Sequence, residues 1–367
     1  HCGAKHRSVL DTGGTPVSRW LSLPLAACIV ATAACGAERE DAPVHQRVAP
    51  LDEAPFALLA HDRTVIVASA AEFARFEEGS THRAHLTDGR YRECPWDPWR
   101  HWESFDSPPH LTPAGDALAL TTALCGTWAW SLDRDAPVAL NRVRRARDTA
   151  PADPAQPDWS PVSDVPVARD GDGWLACGRR AEGFGRVELW SLGPDGGPRA
   201  KLADLPATEC ASVHPTAEAI VVAGSDRLLR VDRASRAVVT LHRAEVSYED
   251  LRVLAAAPSY FAVAQGARLE RVDASGAVRT IAESPLGPWN SFSAATDATH
   301  LYWTDGERLL RAPHADLASV EELMTAREGV RLLVGEHPSV AVTREAVWFV
   351  TIEDGRPYLA RLPKPAR

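Results

Sequence analysis

Residues 220–232 read Ile-Val-Val-Ala-Gly-Ser-Asp-Arg-Leu-Leu-Arg-Val-Asp, and residues 261–273 read Phe-Ala-Val-Ala-Gln-Gly-Ala-Arg-Leu-Glu-Arg-Val-Asp. The two stretches align without a gap, and residues 301–313 form a third copy. Each copy has an apolar run, a short turn containing Gly or Asp, and a second run, which is the pattern of a β-hairpin. A third strand follows the hairpin, and small-residue runs such as Ser291–Ala295 suit a crowded innermost strand. The repeat therefore predicts a four-stranded antiparallel unit.

Seven apolar runs of this kind recur along the chain. Their first residues are separated by steps of 53, 56, 46, 41, 40 and 46 residues, and they are Val65, Leu118, Trp174, Ile220, Phe261, Leu301 and Val347. This period is typical of the blades of a β-propeller and not of a helical repeat. We predict an all-β chain that forms a propeller of seven blades, with six as the alternative if one repeat is false.

The two ends of the repeat region are its least regular parts. Glu72 to Glu78 in the first blade fits a strand or a helix. The last blade reaches Leu362 after only three strands, which would leave an exposed sheet edge. We expect a strand from near Val48 to close the ring.

An uncharged apolar segment, residues 20–35, follows the basic residue Arg19. It is too short for a comfortable membrane span and is typical of a secretory signal. The segment resembles a bacterial lipoprotein signal peptide, in which the cysteine of a Leu-Ala-Ala-Cys type motif is lipidated after cleavage. Cys35, preceded by Thr32-Ala33-Ala34, is the favoured lipidation site, and Cys28, preceded by Leu25-Ala26-Ala27, is the alternative.

Three regions follow from this pattern. Residues 1–35 are assigned to an over-extended start plus the signal peptide, residues 36–50 to a charged flexible tether, and residues 51–367 to the propeller. Acyl chains would hold the protein at a membrane surface without spanning it. The expected location is the bacterial cell envelope, at the outer membrane or cell surface.

A short motif in the sixth repeat suggests a family. Leu301-Tyr302-Trp303-Thr304-Asp305 resembles the Tyr-Trp-Thr-Asp signature of the low-density-lipoprotein-receptor type propellers, and the strand pairs that end in Asp resemble those of the periplasmic TolB-type propeller. The other repeats lack the signature. The resemblance implies extracytoplasmic protein recognition and brings no catalytic residues with it.

Composition narrows the possible partners. Lys and Arg number 40 and Asp and Glu 49, so the net charge is -9, which argues against a nucleic-acid partner. We expect a monomer that binds a protein or peptide, with no cofactor.

Four cysteines of the repeat region, Cys94, Cys125, Cys177 and Cys210, invite disulfides in an exported protein. Three connectivities are possible, and we favour Cys94 with Cys125 and Cys177 with Cys210. The close Cys-x-x-Cys spacing of a zinc site does not occur among them. Asp170-Gly171-Asp172-Gly173 begins like a calcium loop, but its place between two strands predicts a turn.

No pattern of catalytic or metal-binding residues stands out, and the strongest functional signal is aromatic. The segment 94–105 reads Cys-Pro-Trp-Asp-Pro-Trp-Arg-His-Trp-Glu-Ser-Phe and connects two blades. Long loops on a rigid scaffold tend to bind ligands, and Trp and Arg are enriched at binding hot spots. The predicted recognition residues are Trp96, Trp99, Arg100, Trp102, Trp159 and Trp289. The competing interpretation is that these tryptophans cover blade edges or plug the channel.

Two classes of function follow. The first is a membrane-anchored propeller that serves as a binding scaffold, with a protein or peptide as a better candidate partner than a glycan. The second is a propeller enzyme, such as a metal-dependent lactonase or hydrolase with carboxylates at the channel mouth. Converging polar side chains at one channel opening would favour the enzyme, and an exposed aromatic patch would favour the scaffold.

Overall fold

The computed structural model describes residues 45–52, 54–55, 57–61, 63–68, 73–77, 83–85, 110–114, 117–122, 126–131, 138–141, 166–179, 187–207, 209–244, 251–287, 292–334 and 338–364. Every regular element of this part of the chain is a β-strand. None of it forms a helix long and apolar enough to cross a membrane.

The described strands form seven antiparallel sheets, six of four strands and one of five. Each sheet is numbered as a blade, and its strands are given from the innermost outward. Blades 1 and 2 consist of β2 (Ala57–His61), β3 (Thr64–Ala68), β4 (Phe73–Glu77) and β5 (Arg83–His85), and of β6 (His110–Ala114), β7 (Ala117–Thr122), β8 (Gly126–Ser131) and β9 (Val138–Asn141). Blades 3 and 4 consist of β10 (Val167–Asp170), β11 (Gly173–Arg179), β12 (Val187–Leu192) and β13 (Pro198–Leu205), and of β14 (Ser212–Pro215), β15 (Ala219–Ala223), β16 (Arg227–Asp232) and β17 (Val238–Arg243).

The remaining blades follow the same order. Blades 5 and 6 consist of β18 (Leu251–Ala257), β19 (Tyr260–Gln265), β20 (Arg268–Asp273) and β21 (Val278–Glu283), and of β22 (Ser293–Thr296), β23 (His300–Thr304), β24 (Arg308–Pro313) and β25 (Glu321–Thr325). Blade 7 consists of β27 (Val340–Val342), β28 (Ala346–Glu353), β29 (Arg356–Pro363) and the N-terminal strand β1 (Gln46–Pro50), and a short strand β26 (Val330–Leu332) also pairs with β28.

The innermost strands form a closed ring. Each of β2, β6, β10, β14, β18, β22 and β27 contacts the innermost strand of the next blade, and β27 contacts β2. The chain is therefore an all-β propeller, as the period predicted, and the described residues divide into seven sheets.

The apolar core lies between neighbouring sheets. Trp303 and Tyr260 pack in one cluster between blades 5 and 6, and Trp348 packs with Val65 and Phe76 between blades 7 and 1. Strand β15 is buried at all five positions, which explains its continuous apolar sequence. Burial on both faces of the second strands is the reason the repeat is visible as short apolar runs.

The ring is closed by the N-terminal strand, as predicted. Strand β1 pairs antiparallel with β29, with Gln46 opposite Arg361 and Pro50 opposite Tyr358. Residues 46–50, the last part of the segment assigned to the tether, therefore belong to the propeller. The lipidation site and the signal segment lie outside the described residues and stay predictions.

Two local ambiguities are also resolved. Phe73–Glu77 forms strand β4, so the segment that fitted a strand or a helix is a strand. β10 ends at Asp170 and β11 begins at Gly173, so Asp170–Gly173 is a turn, with Gly171 at a φ of +60°.

A β-bulge recurs between the third and fourth strands. In blades 4, 5 and 6 the register shifts between the second and third residues of the third strand, at Leu228/Leu229, Leu269/Glu270 and Leu309/Leu310. A bulge places one extra residue in one strand, so it changes which side chains face each other beyond it.

Candidate functional site

The strand order gives the propeller two distinct rims. One rim, called the connection rim, contains the turns between second and third strands and the strand ends that flank the connections between blades. The opposite rim contains the turns between first and second and between third and fourth strands. The two rims are described separately because their polar groups do different things.

The predicted aromatic residues belong to three inter-blade connections. The described strand ends on either side of them lie at the connection rim: His85 and His110 for the first, Asn141 and Val167 for the second, and Glu283 and Ser293 for the third. Trp96, Trp99, Arg100, Trp102, Trp159 and Trp289 themselves lie outside the described residues. Their role in recognition stays a prediction.

A repeated arginine on the connection rim was missed in the sequence. The turn between second and third strands in blades 4 to 7 is a two-residue hairpin, and an arginine begins or precedes the third strand each time. These are Arg227, Arg268, Arg308 and Arg356. The sequence does contain a signal for them, because an arginine follows the hairpin at the same position in every aligned copy. The rim therefore presents one guanidinium per blade over four successive blades.

In blade 6 the arginine is held by the aspartate of the Tyr-Trp-Thr-Asp motif. Asp305, 1% exposed, accepts hydrogen bonds from the backbone N–H groups of Glu307 (3.1 Å) and Arg308 (2.8 Å). Its other oxygen accepts from Nε and Nη2 of Arg308, at 3.0 and 2.6 Å. These hydrogen bonds and the negative charge of Asp305 raise the pKa of Arg308. The aspartate thus fixes both the hairpin and its arginine.

In blade 7 the corresponding acid joins the hairpin to the closing strand. Glu353, 6% exposed, accepts a hydrogen bond from Arg47 Nε at 3.1 Å, and Arg327 Nη2 lies 3.6 Å from the same carboxylate. The hairpin turns through Asp354 and Gly355, both with positive φ, at 50° and 75°. Positive charge from β1 therefore neutralises a buried carboxylate.

The predicted Cys177–Cys210 disulfide is present, with the Cα atoms 6.1 Å apart. Cys177 lies in the second strand of blade 3, and Cys210 lies in the connection to blade 4. Both belong to the buried cluster between these two blades. Cys94 and Cys125 lie outside the described residues, so their pairing stays a prediction.

The opposite rim is built from contacts between consecutive blades. Asp297 of blade 6 accepts a hydrogen bond from Lys364 Nζ, which follows blade 7, at 2.7 Å, and Asp170 of blade 3 accepts two from Arg233 of blade 4, at 2.7 and 2.9 Å. Burial alone would raise the pKa of Asp297, but Lys364 and the backbone N–H groups of Thr299 and His300 hold that pKa well below its usual range. Asp297 is therefore ionised, and the carboxylates of Asp297 and Asp170 each join two consecutive blades.

A histidine completes the contacts between blades 5 and 6. His314 Nε2 donates a hydrogen bond to the backbone carbonyl of Asp297 at 2.8 Å, because a carbonyl oxygen can only accept. Its Nδ1 lies 2.8 Å from the Tyr260 hydroxyl, which donates to it. Burial raises the pKa of Tyr260 to about 12, so the hydroxyl keeps its proton at neutral pH. The ring of Tyr260 is thereby fixed in position.

No group of three or more His, Cys, Asp or Glu side chains in the described part of the chain is arranged to hold a metal ion. The described residues of the connection rim include a set of arginines and acids that are held in hairpins. Such an array can donate directed hydrogen bonds to an acidic or polar partner.

Comparison with known proteins supports the propeller fold and does not show a family. No protein-family model and no curated protein sequence matches the chain. Among solved structures, an oligogalacturonate lyase from Vibrio parahaemolyticus is 9% identical, with 89% of this chain and 95% of that one covered and a TM-score of 0.55. An oligogalacturonate lyase in complex with manganese is 11% identical, with coverages of 83% and 86% and a TM-score of 0.52.

A third similar structure is the extracellular domain of the BT4673 system from B. thetaiotaomicron. It is 11% identical, its TM-score is 0.53, and 88% of this chain matches 40% of that chain. The present chain thus spans less than half of the length of that relative. All three support the class that the ring of sheets defines, a β-propeller.

Proposed function

We propose that this protein is a lipid-anchored propeller of the bacterial cell envelope that binds a protein or peptide at its connection rim. The observation that supports the proposal most directly is the position of the strand ends at that rim. Two of the connections that begin and end there are long, residues 86–109 and 142–166, and the first contains four large aromatic residues. A rigid ring that presents long aromatic loops is suited to recognition.

The arginines of the connection rim support the same proposal. Arg and Trp are the residues most enriched at binding hot spots, and this rim combines hairpin arginines with tryptophan-rich connections. A peptide offers both backbone carbonyls and side chains that can pair with such groups. The BT4673 domain is described as extracellular, which is consistent with the proposed location.

The anchoring part of the proposal is tested by metabolic labelling with a fatty acid. The full-length protein is expected to incorporate the label and to partition into detergent. Cys35→Ala should abolish incorporation, because thioether lipidation needs that side chain, and Cys28→Ala is the matched control that should retain it. Loss of label in Cys28→Ala alone would assign the site to Cys28, and retention of label in the double variant would rule out both cysteines as the lipidation site. Absence of label in the unmodified protein would rule out the anchor.

The recognition part is tested by affinity capture from solubilised envelopes, followed by titration of the captured partner. Trp99→Ala and Trp102→Ala should each weaken binding by about 2 kcal/mol, about 30-fold, while the melting temperature stays nearly unchanged. Trp190→Ala is the control, because Trp190 lies within strand β12, away from the connections. It should lower stability and leave binding intact.

Other outcomes of the capture experiment would redirect the proposal. A sharp drop in melting temperature with intact capture would make Trp99 and Trp102 packing residues. Release of the partner by glycosidases would indicate a glycan. Turnover of a substrate that depends on an added metal would favour the enzyme.

A further inference from the structure

Two arginines face each other on the outer side of blade 5. Arg271 in β20 and Arg279 in β21 are direct cross-strand partners. Like charges in directly opposed positions destabilise a sheet. Within the described residues, neither guanidinium has a carboxylate within ion-pair distance or a hydrogen-bond acceptor. Neither arginine of this pair therefore has a direct carboxylate partner, although the negative charges of Asp316 and Asp273 lie close enough to interact with Arg279 and Arg271.

The neighbouring blades show that the pair is unusual for this repeat. In blade 6 the equivalent positions are Arg311 and Glu321, which form a salt bridge of 2.7 Å. In blade 4 the equivalent arginine, Arg230, faces Val239. The third-strand arginine is thus part of the repeat, whereas the second arginine opposite it occurs in blade 5 alone among blades 4 to 6.

Arg271 and Arg279 also line a cavity of about 190 Å³ between blade 5 and the turn that precedes β25. Its other walls include the apolar side chains of Ile281, Leu317 and Val320, and Val320 is 46% exposed. At about 30 Å³ per water molecule, this volume suits a group the size of one side chain. The cavity therefore combines two cationic donors with an apolar wall.

The geometry of one donor is fixed before any ligand arrives. The Arg271 guanidinium lies over the Tyr260 ring, 5.0 Å from its centroid. Tyr260 is held in turn by its hydrogen bond to His314. A fixed planar guanidinium is suited to bidentate hydrogen bonding with a carboxylate.

One carboxylate already lines the cavity, that of Asp316. Its two oxygens accept hydrogen bonds within its own turn, from the Ala318 N–H at 3.1 Å and from the Ser319 hydroxyl. Asp316 therefore lowers the positive charge of the cavity from two to one without pairing with either arginine.

We propose that this cavity is a carboxylate-binding site that takes the acidic side chain of a peptide, with the carboxylate on Arg271 and Arg279 and the aliphatic stem against Ile281, Leu317 and Val320. The site lies on the outer side of blade 5 and is independent of the proposed recognition at the connection rim. A carboxylate between the two guanidinium groups removes their repulsion, and this relief adds to the hydrogen bonds it accepts.

The test uses the purified full chain and four probes: a fluorescent hexapeptide with one central Glu among Ala and Leu, its Gln version, free succinate and inorganic phosphate. Saturable binding of the Glu peptide, with a Gln version that fails to bind, is the expected result. Binding of succinate alone would keep the carboxylate chemistry and overturn the peptide as its source. Binding of inorganic phosphate, with neither carboxylate probe bound, would overturn the proposal.

Substitutions at the pair locate the site. Arg279→Gln should weaken peptide binding at least about tenfold, because one charge-assisted hydrogen-bond donor is lost. Arg279→Glu reproduces the blade 6 pairing, so binding should disappear while the melting temperature stays equal or rises. Arg230→Gln in blade 4 is the matched control and should bind as the unmodified chain does.

Asp316→Asn is expected to change the affinity for the Glu peptide in the opposite direction. Removal of its negative charge should tighten binding of the Glu peptide severalfold, since the cavity then has a net charge of two. Equal binding by the unmodified chain and by Arg279→Glu would place the peptide elsewhere and overturn the proposal.

Discussion

Removal of the closing strand is expected to destabilise the propeller more than any single substitution discussed above. A chain of residues 52–367 lacks β1, and it should lose about 4 kcal/mol or more of unfolding free energy relative to a chain of residues 45–367. Glu353 would keep its buried carboxylate and the nearby Arg327 but lose Arg47, which is half exposed, so the weakened pairing accounts for up to about 3 kcal/mol of this loss. Strand β29 would also become an unpaired edge.

The comparison of these two truncated chains isolates the strand. Both lack the same first 44 residues, so the difference in their urea midpoints reports on residues 45–51. Arg47→Ala in the longer chain should reproduce most of the loss, and adding Glu353→Gln should restore part of it, because the buried charge is then gone. Identical midpoints for the two truncated chains would show that β1 does not close the ring in solution.

Replacing both Cys177 and Cys210 by Ala is expected to lower the unfolding free energy by about 3–4 kcal/mol. The disulfide joins residues 33 positions apart, and a loop of that length restricts the unfolded chain by about this amount in the chain-entropy description. Both sulfur atoms lie in the buried cluster between blades 3 and 4, so Ala keeps the site apolar and leaves only a small void.

Urea unfolding with and without reductant checks this expectation. Reductant should lower the midpoint of the unmodified chain toward that of the double Ala variant. The Cys94→Ala, Cys125→Ala variant is the control for the other predicted pair, and any further effect of reductant on the Cys177, Cys210 variant would reveal that second disulfide. An unchanged midpoint in the Cys177, Cys210 variant would contradict a stabilising role for the bond.

Much of the fold could be predicted from sequence because its determinants are local. An apolar run, a two-residue turn and a second run specify a hairpin within about 13 residues, and the repeat of residues 220–232 at 261–273 specified the blade. The shortage of one strand in the last blade specified closure near Val48, since an open edge is unfavourable. The Cys177–Cys210 pair was the favoured one of three possible connectivities, chosen from the positions of both residues relative to neighbouring strands, and the structure confirms it.

The contacts between blades depended on side chains that are distant in sequence. Asp170 and Arg233 are 63 residues apart and Asp297 and Lys364 are 67 apart, and nothing in their local sequence indicates these pairs. The repeated hairpin arginine was visible in the aligned copies, but its acidic partner differs from blade to blade. Asp226 pairs with Arg227, whereas Asp305 pairs with Arg308.

By itself, the amino-acid sequence determined the repeating unit, the closed ring and the strand that closes it, because turn chemistry and alternating burial act over a few residues. Only the tertiary structure decided that Arg271 faces Arg279. The bulge at Leu269/Glu270 shifts the register by one residue, and without it Arg271 would face Thr280. Side chains alternate between the faces of a strand, so that single shift brings two arginines to one face beside a cavity formed by the next blade.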